Sequence, residues 1–276
     1  MDDQRFRQLL NRLGLSWSGY RKVRKSAKKR IRRYMQRSGY DNLEDLFLAL
    51  EKDRSLRLQI ERLMTVSIRR FFRDWHLWHI LENNIMGMAI ENFREGIKVW
   101  SAGCACGEEV YSFKILWDRL KTLYRPVPKI ELLATDMNPV YLKRAKASIY
   151  PKSSLREVSQ EIREIYFEPL KEGRFYIVPS FLKDGILWKL HNLLSDPPGN
   201  DFHIIFLRNN HLTYYEIELK VPPFMNVVNS LAPGGFLIIG AHEKLPLEIP
   251  GLRPWIHDRC IFQKVKILNR GRLYEV

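Results

Sequence analysis

Val99–Tyr111 reads VWSAGCACGEEVY. An apolar run ends in small residues, Gly103 and Gly107 bracket two cysteines, and Glu108 and Glu109 open an amphipathic stretch. This is the pattern of a buried strand, a tight turn and a helix. Glycines in such a turn let backbone come close to a ligand. The spacing is neither the G-x-G-x-x-G of dinucleotide sites nor a P-loop, since no Gly-Lys-Ser/Thr follows. Two acids at the helix start would repel a pyrophosphate but suit a ligand carrying an ammonium and a sulfonium.

Working outward, Ile97–Trp100, Ile130–Ala134 and His203–Leu207 read as strands, as does Phe236–Gly240 after the Pro233-Gly234-Gly235 turn. Helices are expected over Glu108–Leu120, Pro139–Ala147 and about Glu216–Leu231, and Ile261–Ile267 as a closing edge or antiparallel strand. Alternating strands and helices predict an α/β fold, a mostly parallel, doubly wound sheet covered on both faces. Arg174–Leu190 reads as a short hairpin around Lys183-Asp184-Gly185, inserted in the alternation. Ligands of such sheets lie across the carboxyl ends of the strands. The second strand ends in ATDMN, so Asp136 stands where a carboxylate accepts both hydroxyls of a ribose. An adenosine ligand with an amino-acid tail and no phosphate points to S-adenosylmethionine.

The N-terminal part is different. Of the net charge of +15, eleven charges lie in residues 1–40, which hold thirteen Lys and Arg against two Asp. In Arg21–Arg37, RKVRKSAKKRIRRYMQR, the residues Val23, Ala27, Ile31, Tyr34 and Met35 form one stripe and almost all others are basic, an amphipathic helix with a cationic outer face. Asn42 is the expected N-cap of LEDLFLALEKD, and a third helix is expected over Ser55–Met64. Residues 1–85 are expected to form an all-helical domain, and 86–276 a ligand-binding domain. With 45% apolar residues the chain can bury a large core. Three cysteines and no paired metal-ligand spacing argue against a disulfide framework and a metal site. No run of about 18 apolar residues occurs and MDDQRFRQLL lacks an apolar h-region, so a cytoplasmic protein without membrane insertion is expected.

The segments TVSIRRFFRD, VWSAGCACGEEVYS, ATDMN, HNLL and FLRNNHLTYY, in this order, resemble the chemotaxis receptor methyltransferase (CheR) family. That family writes them approximately TTNxTxFFRE, VWSAGCSTGEEPYS, ASDID, xNLL and FCRNxxxYF. The resemblance covers almost the whole chain and implies the class I S-adenosylmethionine-dependent methyltransferase fold, a small N-terminal helical domain, and esterification of glutamate side chains on receptors with S-adenosylhomocysteine as product. By resemblance Arg73 holds the cofactor's methionine carboxylate and Glu108 or Glu109 lies near its ammonium. Asp136 takes the ribose, Asn192 and Leu193 the adenine edge, and Gly103 makes close backbone approach. Arg208 and Asn209 sit at the mouth of the fourth strand, and Tyr214 points to the methyl-transfer centre.

The chain also departs from the pattern. Ser67 replaces the family's usual Asn and Arg69 a small hydroxyl residue; Arg69 would either add a cation beside the methionine carboxylate or block the pocket. The basic residue expected soon after FFRD is missing before Arg94, and a late Gly-His-Ser-Glu signature is reduced to GAHEK, keeping His242 and Glu243. An acidic protein substrate, such as a chemoreceptor-like helix gripped by the basic helix, is the expected partner. A catalytically impaired cofactor-binding module and a nucleic-acid-associated methyltransferase are the alternatives. The basic segment has few aromatics for base stacking, only Tyr20 and Tyr34, which disfavours nucleic acid.

Overall fold

The computed structural model describes residues 1–256 and 258–265. Four helices come first: α1 (Asp3–Leu13), α2 (Arg24–Ser38), α3 (Leu43–Lys52) and α4 (Arg54–Met64). Their boundaries are set by local chemistry. Asp2, Asn42 and Asp53 accept the first free N–H groups of α1, α3 and α4, and Gly14 and Gly39 close α1 and α2 in left-handed conformation. The apolar stripes meet in one core built on Phe6, Leu10, Ile31, Leu46 and Ile60. Ala27 and Ile31 of the basic helix are buried there, while Lys25, Lys29, Arg32, Arg33 and Arg37 stay exposed.

Next come α5 (Trp75–Ile80), a π-helical turn over Leu81–Ile85 and α6 (Met86–Asn92). These were expected within the N-terminal helical domain, but Leu77, Trp78, Leu81, Ile85 and Ile90 pack into the core around the sheet. Met64 belongs to the core of the helical unit and Phe71 to the core around the sheet.

The rest alternates: β1 (Ile97–Ala102), α7 (Glu108–Leu123), β2 (Ile130–Asp136), α8 (Pro139–Ala147), β3 (Ile149–Pro151), α9 (Gln160–Tyr166), β4 (Glu168–Leu170), β5 (Phe175–Ile177), α10 (Ser180–Lys183), β6 (Ile186–Leu190), β7 (Phe202–Leu207), α11 (His211–Tyr214), α12 (Ile217–Asn229), β8 (Leu231–Ile239), β9 (Leu252–Trp255) and β10 (Asp258–Lys264). Seven strands form one sheet in the order β6-β2-β1-β7-β8-β10-β9. The pairings among β6, β2, β1, β7 and β8 are parallel, and β10 is antiparallel to β8. The order reverses between β1 and β7, which puts the switch point at the end of the strand that leads into the glycine turn. Trp100 is wholly buried there and donates its indole N–H to Thr135 Oγ1 at 3.0 Å, tying β1 to β2.

The expected hairpin over Arg174–Leu190 is not formed. Phe175–Ile177 pairs with β3 and β4 in a separate three-stranded sheet, whereas Ile186–Leu190 is the outer parallel strand beside β2. Both segments have strand composition, but Leu182 of the intervening helix is buried in the core and separates them. The Pro233-Gly234-Gly235 turn is likewise absorbed into β8, which carries a register shift against β7 there. The closing strand is antiparallel as expected; Lys266 and Ile267 at its predicted end lie outside the described residues.

Candidate functional site

A cleft of about 1170 Å³, including its open mouth, lies across the carboxyl ends of β1, β2 and β7. Its floor is the glycine turn. Gly103 has φ +87°, and a Cβ there would lie 2.1 Å from Asn210 Nδ2, so only glycine fits. Gly107 has φ +90°, and a Cβ would press on Ala145 and Trp188 at 3.0 Å. The Gly103 and Cys104 N–H groups both donate to the Thr135 carbonyl at 2.8 Å, clamping the turn onto the end of β2.

Asp136 ends β2 with 8% of its surface exposed. Its Oδ2 accepts from the Ala105 N–H at 2.9 Å and its Oδ1 from the Asn138 N–H at 2.8 Å. Burial nevertheless outweighs these bonds and pushes its carboxyl up to about 6. Each oxygen keeps a lone pair for a further donor.

The two glutamates of the turn differ in environment. Glu109 accepts from Ser101 Oγ at 2.8 Å and from Arg208 at 3.1 Å. Glu108 has an Oε1 that is shut off from solvent with no partner, and burial pushes its carboxyl up to about 7. Ser67 Oγ is also buried and unpartnered, and both residues line the cleft. Unsatisfied polar groups in the wall of a cleft fit a polar, cation-bearing ligand rather than an apolar one.

Arg208, at the end of β7, is almost fully buried and bridges Glu109 to Asp74 at 2.8 Å, while also donating to the Arg73 carbonyl at 2.9 Å. It is thereby committed to its own carboxylates. Arg70 lines the cleft too, but pairs with Glu157 at 3.0 Å. Arg73 donates only to the uncharged Asn209 Oδ1, at 2.8 Å, so it faces the cleft without a carboxylate partner among the described residues. Phe72, Asp74, Ala105 and Asn209 all have positive φ. Such backbone is strained in non-glycine residues, by roughly 1–3 kcal/mol each, and two of the four, Ala105 and Asn209, line this cleft.

Asn192 and Leu193, after β6, line the cleft as well. The Asn192 carboxamide oxygen accepts from the Leu194 N–H at 3.0 Å, which fixes the turn and leaves its amide hydrogens to a ligand. Tyr214 lines the opposite wall, 5.1 Å between ring centroids from Tyr20 of the helical unit, and burial raises its hydroxyl above the usual range. Its hydroxyl forms no hydrogen bond among the described residues.

The cleft thus brings together Ser67, Arg73, Gly103, Glu108, Glu109, Asp136, Asn192, Leu193, Arg208, Asn209 and Tyr214. Arg69 is the exception. It is exposed and is not among the residues that line the cleft, and its charge counteracts the rises at Glu108 and Cys106. The direction of the chain explains this, since Ser67 and Arg70 turn inward on either side of it.

Sequence reasoning missed the wall supplied by the helical unit, where Leu15, Tyr20, Glu61, Met64 and Thr65 line the cleft. It also missed Trp78, His191 and Asn210. A signal existed for Asn210, adjacent to the Arg-Asn pair; none existed for Tyr20, forty-five residues before Thr65, where the first family segment begins. Among the described residues no group of His, Cys, Asp and Glu has metal-binding geometry, and no helix is long and apolar enough to cross a membrane.

The family model described as CheR methyltransferase, SAM binding domain, matches residues 68–256. Relatives include a chemotaxis protein methyltransferase of Listeria innocua, 32% identical over 84% of this chain and 86% of that protein. Another is the chemotaxis protein methyltransferase Cher2 of Pseudomonas putida, 28% identical over 78% of this chain and 80% of that protein. A chemotaxis protein methyltransferase of Vibrio parahaemolyticus is 32% identical over 70% of each.

Proposed function

The chain belongs to the CheR methyltransferase family of S-adenosylmethionine-dependent methyltransferases with the class I fold, and from that premise we propose that it esterifies glutamate carboxylates of an acidic protein, of the chemoreceptor kind. Bound S-adenosylmethionine supplies an electrophilic methyl group on a sulfonium. In this reading Arg73 receives the methionine carboxylate, because it is the cleft arginine without a carboxylate of its own. Glu109, with Glu108 behind it, receives the ammonium. Asp136 accepts from the ribose hydroxyls, Asn192 and the Leu193 backbone meet the adenine edge, and Gly103 leaves room for close approach. Arg208 holds Glu109 and Asp74 in place, and Asn209 orients Arg73.

The acceptor side rests on one observation, the position of Arg30. This residue belongs to the basic helix α2 but turns inward, donating through Nε to the Leu63 carbonyl at 2.6 Å and through Nη2 to the Thr65 carbonyl at 3.2 Å. Thr65 lines the cleft, and the charge of Arg30 bears on both Tyr20 and Tyr214. Arg30 thereby ties α2 to Thr65 at the edge of the cleft, and in this reading a carboxylate-bearing helix docks on the cationic face of α2 and presents a side chain to Tyr214. A carboxylate is ionised at neutral pH and attacks the methyl group without a general base, so the protein's contribution is positioning.

Purified protein given methyl-labelled S-adenosylmethionine and an acidic receptor-type helical protein should incorporate label that alkali releases as methanol. Label stable to alkali would overturn the carboxylate acceptor.

A further inference from the structure

The GAHEK remnant has no place in the reading above, yet Glu243 stands at a junction of three elements. Its Oε2 accepts from the Asn209 N–H at 2.8 Å, just after β7, and from the Gly240 N–H at 2.7 Å, just after β8. Its Oε1 accepts from Thr213 Oγ1 at 2.5 Å, in the short helix that ends at Tyr214. Asn209 has φ +55°, a conformation that costs energy in a non-glycine residue and needs external support. Gly240 is packed so closely that a Cβ would lie 2.8 Å from both Asn209 Oδ1 and Glu243 Oε2. From this strained position the Asn209 carboxamide oxygen reaches Arg73.

We propose that Glu243 is a positioning residue: by bracketing Asn209, Gly240 and Thr213 it sets the Asn209–Arg73 contact, and through it the grip on the amino-acid end of the methyl donor. The inference rests on Arg73 as the carboxylate partner. Glu243 does not line the cleft, so its effect is transmitted through Asn209, not through contact with the ligand. A carboxylate here serves as a multiple acceptor rather than as a charge. Glutamine can keep the bracket, its carbonyl accepting from Asn209 and Gly240 while its amide donates to the Thr213 hydroxyl, whereas alanine leaves two backbone donors unmet.

The test uses two probes by calorimetry, S-adenosylhomocysteine, which carries the amino-acid tail, and 5′-methylthioadenosine, which lacks it. Glu243→Ala should weaken S-adenosylhomocysteine about tenfold, the scale of one lost oriented hydrogen bond to a charged group. Methylthioadenosine should bind as to wild type, and Glu243→Gln should restore most of the loss. An equal loss for both probes, or no loss for either, overturns the proposal. Glutamine behaving like alanine also overturns it, by making the charge itself responsible. If Glu243→Ala does not fold, Thr213→Val removes only the Oε1 arm and must show the same asymmetry at smaller size. Arg73→Ala separates the two layers. If it leaves S-adenosylhomocysteine binding unchanged, the carboxylate role of Arg73 fails, while the response to Glu243→Ala is still read from its own pair of titrations.

Discussion

Asp136→Asn separates binding from stability at the proposed ribose site. In the folded protein burial pushes the Asp136 carboxyl from 3.8 to about 6. The folded state therefore holds the proton more tightly than the unfolded chain. Ionisation of this group costs roughly 3 kcal/mol of stability above pH 6, and the cost disappears as pH falls from about 6 toward 3.8. Asparagine removes that cost. It also turns its amide toward one of the two backbone donors, from Ala105 or Asn138, that the carboxylate now accepts, which costs about 1–3 kcal/mol. The two nearly cancel, so the melting temperature at pH 7.5 should move by only a few degrees.

Binding has no such compensation. Loss of a charge-assisted acceptor should weaken S-adenosylhomocysteine by about 10- to 100-fold. Because the ribose donors favour the ionised carboxylate, Asp136 should contribute a fall in wild-type affinity as pH drops below about 6, roughly tenfold by pH 5. Asp136→Asn should lose that slope and keep the separate one from Glu108, which lies near pH 7. Calorimetric titration of both proteins between pH 5 and 8 measures all of this. Equal affinity in the two proteins, or an unchanged slope below pH 6 in the variant, would refute the reasoning.

Arg30→Ala should lower kcat/KM for the protein acceptor by about tenfold, the worth of one charge-assisted contact, while leaving S-adenosylhomocysteine affinity within twofold of wild type; steady-state methylation and calorimetry together read it. Gly103→Ala, with φ +87° and a Cβ at 2.1 Å from Asn210, should cost about 2 kcal/mol or more, visible as a lower melting temperature and as lost cofactor binding. Tyr214→Phe removes a hydroxyl without a hydrogen-bond partner and should leave the melting temperature unchanged while lowering kcat. Charge reversal at Lys25, Lys29 and Arg32, which are exposed on α2, should raise KM for the acceptor and flatten its dependence on salt; an unchanged KM would count against docking on this helix.

The strand-end half of the cleft was legible because its pattern is local. VWSAGCACGEEVY, ATDMN and FLRNN each end a strand of one parallel sheet, and the topology of such a sheet brings strand ends together. Pro139 at the start of α8 and Asn42 at the start of α3 were readable for the same reason, since caps depend on near neighbours. What was not legible depended on distant partners. The strands Phe175–Ile177 and Ile186–Leu190 carry similar residues, and only the burial of Leu182 between them sends each to a different sheet. Arg69 sits in a motif whose neighbours face inward, and a motif gives no direction for one side chain. Glu243 was visible as the remnant of a signature, but its three partners come from Asn209, Thr213 and Gly240, and spacing does not reveal a bracket of that kind.

The helical unit is more than a platform for basic charge. The Ser16 N–H donates to the Tyr214 carbonyl at 2.8 Å, the Glu216 N–H donates to the Gly14 carbonyl at 2.9 Å, and Leu15 forms a bridge with Tyr215. A Cβ on Gly19 would lie 2.2 Å from the Thr213 carbonyl oxygen, so the two backbones meet with no side chain between them. The segment that carries Tyr214 is thus held from one side by the loop between α1 and α2 and from the other by Glu243. Arg62 donates to the Met137 carbonyl at 3.2 Å, and Asn138 to Thr65 Oγ1 at 3.3 Å, which fasten the end of α4 to the residues just after Asp136. Any tilt of the helical unit would shift Tyr214 and the turn after Asp136 together, so an acceptor helix that settles on α2 acts on the same backbone that frames the donor. Acceptor docking and donor binding should therefore be thermodynamically linked, each changing the other's affinity by the same factor. A titration of S-adenosylhomocysteine that gives the same affinity with and without saturating acceptor protein would show that the two sites are independent despite this shared frame.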